Sequence, residues 1–258
     1  MDAKKRPLKT LERVLSKAGV GSRVEARAWV RAGRVKVNGT VSRDPDQWVD
    51  MHRDRVRLDD KPLQPRERLY VLLYKPTGYL TTYRDPKGRP TVYDLVADVG
   101  TFLSPVGLLD LNTSVLLLMT NDNRFAERVT NPQWHVPKTY LVKASRVLSD
   151  EELQQLRDGI ELSDGPTRPA DVTRLRDSEK YTHFEIMLTE GRNRQVRRMV
   201  EALDAQVLKL VRVKVGPIAI GKLPIGKWRL LTRGEVAAFG VGDDARRGDA
   251  GLSSNGDR

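Results

Sequence analysis

Apolar positions change their period along this chain, and each change predicts a different element. Leu8, Leu11, Val14 and Leu15 recur at helical spacing until Gly19 ends the pattern. The stretch Ser22-Arg23-Val24-Glu25 reads as a capping box, with Ser at the N-cap and Glu three residues on. It opens a second helix that runs to about Ala32, stops at Gly33 and offers Ala28 and Trp29 as an apolar side. From Val35 to Val41 the residues alternate around Asn38-Gly39, which predicts a tight hairpin. The segment from Asp59 to Arg68 is polar, carries two prolines and reads as a linker. Strand-like runs follow at Tyr70–Tyr74, Val115–Met119, Thr139–Val142, His183–Leu188 and Val207–Val215, with helical patterns between some of them, as at Asp150–Arg157. Strands and helices interleave without regular βαβ repeats. The expected class is therefore α+β: a small helix–helix–hairpin domain over residues 6–65, then a larger domain over 66–240 on a mostly antiparallel, mixed sheet. Residues 241–258 lack apolar periodicity and are expected to be disordered.

One stretch breaks the apolar logic. In LLDLNTSVLLLMTND, Leu108 to Asp122, a charged Asp110 and a polar Asn112-Thr113-Ser114 step stand directly before the apolar run Val115–Met119. A turn leading into a buried strand accounts for these residues, because Asp and Asn are common turn formers. A functional carboxylate held at the mouth of the strand accounts for them equally.

Charge narrows the choice of partner. Lys and Arg number 46 against 34 Asp and Glu, a net +12 with a pI near 10.0, and this surplus favours a polyanion, most often nucleic acid. The basic residues crowd between Lys4 and Lys36 and again between Arg192 and Arg198. Arg23, Arg27, Arg31 and Arg34 recur at spacings of four, four and three, a row of guanidinium groups on one helix face that suits RNA or DNA contact. Within Glu190–Leu203, Val196, Met199, Val200 and Leu203 form a core stripe; Arg192 and Arg194 stand at the helix entrance, and Arg197 and Arg198 flank the stripe. Arginines at a helix start suit phosphate binding; surface salt bridging is the alternative.

Other chemistries find little support. The chain has no cysteine, which removes disulfides and thiolate metal sites and fits a cytoplasmic protein. His52, His135 and His183 lie far apart, without metal spacing. No apolar run reaches the length of a membrane span, and the basic N-terminus is not followed by the apolar core of a secretory signal. Gly216–Leu223 imitates the start of a phosphate-binding loop, but Leu223 stands where Ser or Thr would hold magnesium and Pro224 disfavours a following helix, so a structural strand or turn is expected.

Taken in order, the motifs resemble the bacterial ribosomal RNA pseudouridine synthases of the RsuA type. AGVGSRVEARAWVRAGRVKVNG resembles that family's small RNA-binding domain, first known from a small-subunit ribosomal protein. YVLLYKPTGYLTT, PVGLLDLNTSVLLLMTND, PKTYLVKA and EGRNRQVRRM resemble its successive catalytic-domain motifs. The resemblance implies isomerisation of uridine to pseudouridine in 16S or 23S ribosomal RNA, free or in an assembly intermediate, by a monomer that uses no metal or cofactor. It implies Asp110 as the catalytic aspartate, Tyr140 as a tyrosine stacking on the target base, and Arg192 as a basic residue paired with the aspartate. RNA contacts are expected from Arg23, Arg27, Arg31, Arg34, Lys36, Lys75, Leu108, Arg194, Arg197 and Arg198. The chain departs from the family at three places: Leu108 replaces a usual arginine two residues before the aspartate, Val115 a usual glycine, and Tyr74 a common asparagine. Leu108 is read as an apolar wedge beside a flipped-out base. A homologue with weakened turnover that serves as an RNA-binding assembly protein is the alternative.

Overall fold

The computed structural model describes residues 8–50, 53–63, 67–107, 109–111 and 113–241. Lys4, His52, Leu108, Asn112 and the tail beyond Val241 lie outside the described residues, and so do the expectations attached to them. The chain divides into two units, one running to Leu69 with Asp98–Ser104 added, the other made of Tyr70–Ala97 and the chain from Pro105 onward. Asp98–Ser104, expected with the larger domain, clusters with the smaller, where Phe102 N and Thr101 Oγ1 each donate to Gly19 O at 3.4 Å.

In the first unit the order is β1 (Lys9–Thr10), α1 (Leu11–Lys17), α2 (Arg23–Arg31), β2 (Val35–Val37), β3 (Thr40–Ser42), β4 (Trp48–Val49), β5 (Val56–Leu58) and β6 (Lys61–Pro62). The Ser22/Glu25 capping box forms as expected. The buried side of α2 is Ala26 and Val30, one turn apart, whereas Ala28 is exposed and Trp29 half-buried. These close on Leu11, Val14 and Leu15 of α1 and on Val35, Val37, Val49 and Val56 to make the core. The hairpin turns at Asn38 (φ 53°) and Gly39 (φ 88°), the positive pair that a two-residue turn of matching twist requires. Its strands belong to a four-stranded sheet in the order β3-β2-β5-β6. The supposed linker contributes to that sheet. Asp59 (φ 49°) and Asp60 (φ 63°) form the turn of a second hairpin, and Lys61–Pro62 is its outer strand.

The second unit contains β7 (Tyr70–Lys75), the Pro105 half of a two-residue β8 (Ser104–Pro105), β9 (Ser114–Thr120), α3 (Asn123–Thr130), β10 (Lys138–Ala144) and α4 (Asp150–Asp158). Then come β11 (Glu161–Leu162), β12 (Gly165–Pro166), β13 (Asp171–Asp177), β14 (Thr182–Leu188), α5 (Gln195–Glu201), β15 (Val207–Val215), β16 (Ile218–Ala219), β17 (Trp228–Leu230) and α6 (Arg233–Ala237). The main sheet runs β13-β14-β10-β15-β9-β7-β17, antiparallel except where β15 meets β9. Each strand run expected from the sequence lies in this sheet. The edge strand β13 was not foreseen, because Val172 is its only buried residue and its other positions are mostly charged. β9 is buried along Val115–Thr120, as a continuous apolar run predicts for a strand covered on both faces. One core joins Val142, Phe184 and Ile186 to Leu153 and Leu156 of α4 and to Val196, Met199 and Val200 of α5, so the predicted α5 stripe is buried. A second joins Leu72, Leu116 and Leu118 to Phe125 of α3 and Val236 of α6. The loop-like imitation at Gly216 is part of a hairpin in which β16 pairs with β15. Among the described residues no helix is long and apolar enough to cross a membrane.

Candidate active site

The polar interruption before β9 is a turn, and it is also one wall of a cavity. Thr113 N donates to Asp110 O at 3.4 Å, closing the turn. The segment after β7 fixes it from behind. Gly78 N donates to Leu111 O (2.9 Å), and Thr81 Oγ1 donates to Leu109 O (3.3 Å). Lys75 is 0% exposed, and its Nζ donates to Pro76 O (3.1 Å), Asp110 O (3.3 Å) and Thr113 O (3.2 Å). Three carbonyls satisfy the three donors of an ammonium group, so this lysine is a buried brace under the aspartate rather than an RNA contact. Burial holds its pKa down to about 8, partly opposed by the attraction of Asp110. Two of the sequence motifs therefore form one local structure, with the first supporting the loop of the second.

The cavity has a volume of about 550 Å³. Asp110, Tyr140, Arg192 and Arg194 all line it, although 84 positions separate the first from the last. Tyr140 reaches it from the middle of β10, opposite Ile186 on β14 and Arg212 on β15. The pairing with β15 shifts register between Thr139 and Tyr140, and such bulges re-aim side chains beside active sites.

The arginines of EGRNRQVRRM divide by partner. The Arg192 guanidinium donates to Glu190 Oε2 (3.2 Å), Asp164 Oδ1 (3.4 Å), Gly165 O (2.8 Å) and Pro166 O. It lines the cavity but is not paired with Asp110, contrary to the expectation, because the turn between β11 and β12 supplies closer acceptors. Arg198 takes Asp164 with both terminal nitrogens, at 2.8 and 3.1 Å, and Arg197 donates to Val207 O at 3.2 Å. Neither of these two is among the cavity's lining residues. Arg194 precedes α5 in the left-handed conformation (φ 47°), lines the cavity, and its guanidinium has no partner among the described residues.

Two cations in the cavity escaped the sequence reading. Lys138 stands two positions before Tyr140 on β10, and no described residue accepts a hydrogen bond from its ammonium group. Burial, then the positive charge of Arg212, push its pKa down. Arg212 is 8% exposed and donates from Nε and Nη2 to Leu116 O at 3.2 and 2.8 Å. Strand periodicity could have found Lys138, since residues i and i+2 share a face. The signal for Arg212 was a guanidinium inside the largely apolar run Val207–Val215, a placement rare without a purpose.

The remaining candidates lie in the first unit. Arg23 and Arg27 both pair with Glu12, which is 2% exposed, and Arg27 also pairs with Asp46. Arg34 pairs with Asp59 and Lys36 with Asp60. Arg31 is exposed, with no side-chain partner among the described residues.

A family model described as RNA pseudouridylate synthase matches residues 69–202, and an S4-domain model matches residues 10–56. An uncharacterised RNA pseudouridine synthase of Aquifex aeolicus is 41% identical over 228 residues, spanning 88% of this chain and 92% of that one. The ribosomal large subunit pseudouridine synthase B of Bacillus subtilis is 38% identical over 231 residues, spanning 89% and 94%. A crystal structure of a pseudouridylate synthase superposes with a TM-score of 0.63 at 29% identity, over 89% of this chain and 99% of the other.

Proposed function

The chain belongs to the RNA pseudouridylate synthase family of isomerases, and from that premise we propose that it converts a uridine of ribosomal RNA to pseudouridine with Asp110 as its catalytic carboxylate. The observation that carries this reading is the convergence on one cavity of Asp110, Tyr140 and the cations Lys138 and Arg194, whose side chains have no partner among the described residues. The relative from Bacillus subtilis is named for the large ribosomal subunit, which favours large-subunit RNA as the substrate.

The reaction is an isomerisation, so its atoms balance within the substrate. The bond from ribose to the uracil nitrogen breaks, the uracil turns, a carbon–carbon bond forms in its place, and the ring carbon gives up the proton that the freed nitrogen gains. Asp110 serves as nucleophile toward sugar or base, or as the base for a ribose proton. Each route needs a carboxylate fixed in position, and the brace from Lys75, Gly78 and Thr81 supplies that. The target uridine leaves its stack to enter the cavity, since a base inside a helix is out of reach. Tyr140 offers it a flat surface, a contact that typically contributes about 1–3 kcal/mol per base. Lys138 and Arg194 answer the negative charge of the nucleotide's phosphates. The S4-domain unit holds the RNA, with Arg31 as its open contact.

The test is a pseudouridine map of both ribosomal RNAs from cells with and without the gene. One or a few large-subunit positions should lose the modification and regain it with the wild-type gene but not with Asp110→Asn. In vitro, Asp110→Asn should lower turnover at least about 10³-fold with RNA affinity within a few-fold. Restoration by Asp110→Asn would remove the aspartate from the chemistry. Loss confined to small-subunit RNA would reassign the substrate.

A further inference from the structure

Trp134 is a large aromatic left half in solvent, and its surroundings are ordered around it. It ends the short turn Pro132–Trp134, capped by Asn131, whose Oδ1 accepts from Gln133 N at 3.0 Å. Trp134 N donates to Asn131 O and His135 N to Pro132 O, both at 3.1 Å. His135 follows in the left-handed conformation (φ 45°), and Arg168 Nη1 donates to its Nδ1 at 2.6 Å. The Arg128 guanidinium lies 3.4 Å from the centre of the Trp134 ring. Trp134 is 50% exposed even so.

This corner adjoins the lining of the cavity along the chain. Val129, Thr130 and Pro132, which precede Trp134, line the cavity with Asp110. Arg168, on the other side of the corner, donates its backbone N–H to Glu190 Oε1 (3.0 Å), and Glu190 is also a lining residue. An exposed indole backed by one guanidinium, with a second on the adjoining His135, has the chemistry of a nucleic-acid stacking platform: a flat apolar face for a base, and cations for the adjoining phosphates. An apolar protein partner would gain the ring but would meet the two arginines without an answering charge. The capped turn also holds the indole in place before binding, which lowers the ordering cost of a stack.

We propose that Trp134, backed by Arg128 and flanked by Arg168, is a base-stacking platform that takes an unpaired nucleotide next to the target uridine and so helps to choose the substrate. This rests on the reading of the cavity as the RNA-modifying site, and the two can fail separately. In full-length protein, binding is measured with transcribed large-subunit RNA domains, and pseudouridine formation is measured in parallel. Trp134→Ala should weaken RNA binding about tenfold, at the lower end of what one stacked base contributes, and raise KM by a similar factor with kcat within about twofold. Trp134→Phe, which keeps a flat ring, should recover most of that loss. Stacking is not a charge contact, so Trp134→Ala should leave the salt dependence of binding unchanged, whereas Arg168→Ala should reduce its slope by roughly one phosphate's worth. Wild-type affinity in Trp134→Ala with an unchanged melting temperature would overturn the platform. So would an affinity loss in Trp134→Ala that Trp134→Phe reproduces in full, because that signals damage to the turn. If Trp134→Ala loses affinity while wild type makes no pseudouridine, the platform stands and the catalytic reading falls.

Discussion

The N-terminal unit and the cavity of the second unit both gather cations, and they differ in how many they leave without a carboxylate. In the first unit four of the five cations of the row from Arg23 to Lys36 are neutralised at home: Arg23 and Arg27 on Glu12, Arg34 on Asp59, Lys36 on Asp60. In the cavity Arg192 is paired with Glu190 and Asp164, but Lys138 and Arg194 have no carboxylate partner among the described residues, while Lys75 beneath and Arg212 in the wall are held by backbone carbonyls. A row of arginines read from spacing alone therefore overstates the charge that RNA would meet at the first unit. A carbonyl satisfies the hydrogen-bond donors of a cation but leaves its charge in place, and that charge remains available to an anionic substrate.

The comparison breaks most visibly at Lys75. Lys75→Met keeps the stem and removes the charge and three donors from beneath the Asp110 turn. Turnover should fall about 10²-fold, as expected for a displaced catalytic group, with RNA affinity within about threefold. An active Lys75→Met would mean that the turn holds its shape unaided. The group also carries a pH signature. Its pKa is about 8 in the fold and 10.5 in the open chain, so between these values the unfolded chain keeps a proton that the folded one has released. Stability from this group therefore rises with pH across that window and is lowest below it. Urea midpoints of wild type relative to Lys75→Met should shift in favour of wild type between about pH 8 and 10.5; a constant difference would show that the lysine titrates normally.

In the first unit the corresponding effect is on stability rather than turnover. The Glu12 pKa is lowered, first by the hydrogen bond from Arg23, against the opposing effect of burial. Its contribution is present above the ordinary carboxylate range and is lost as pH falls through the lowered value. Glu12→Gln should lower the melting temperature at neutral pH, and the gap to wild type should close on acidification. A gap independent of pH would show that the ion pairs add nothing.

The smallest effects sharpen the contrast between paired and open cations. Arg31→Ala should reduce the salt slope of RNA binding by a little under one unit, the share of a single phosphate contact. Arg34→Ala, which removes an exposed cation already paired with Asp59, should change the slope by much less and leave the melting temperature nearly unchanged. Equal slopes for the two variants would show that Asp59 gives up its partner to RNA at no cost.

The local architecture of both units was legible in the residues. Period-two alternation and Asn38-Gly39 specify a hairpin because few other residues accept two positive φ values in succession. The apolar stripe of α5 and the continuous run of β9 specify burial because water excludes both. Resemblance to a family then singled out Asp110 and Tyr140, and the fold brings both to one cavity. Partners of charged groups were not legible. Arg192 could be assigned to Asp110 by analogy, but its acceptors come from a hairpin near Asp164, and Lys75 could be taken for an RNA contact until its three carbonyls closed around it. Sequence patterns report which face of an element turns inward, a property of neighbours three or four positions apart. The partner of a buried charge is set by whichever acceptors the tertiary fold brings within about 3 Å, and for Lys75 and Arg212 those lie up to 38 and 96 positions away along the chain.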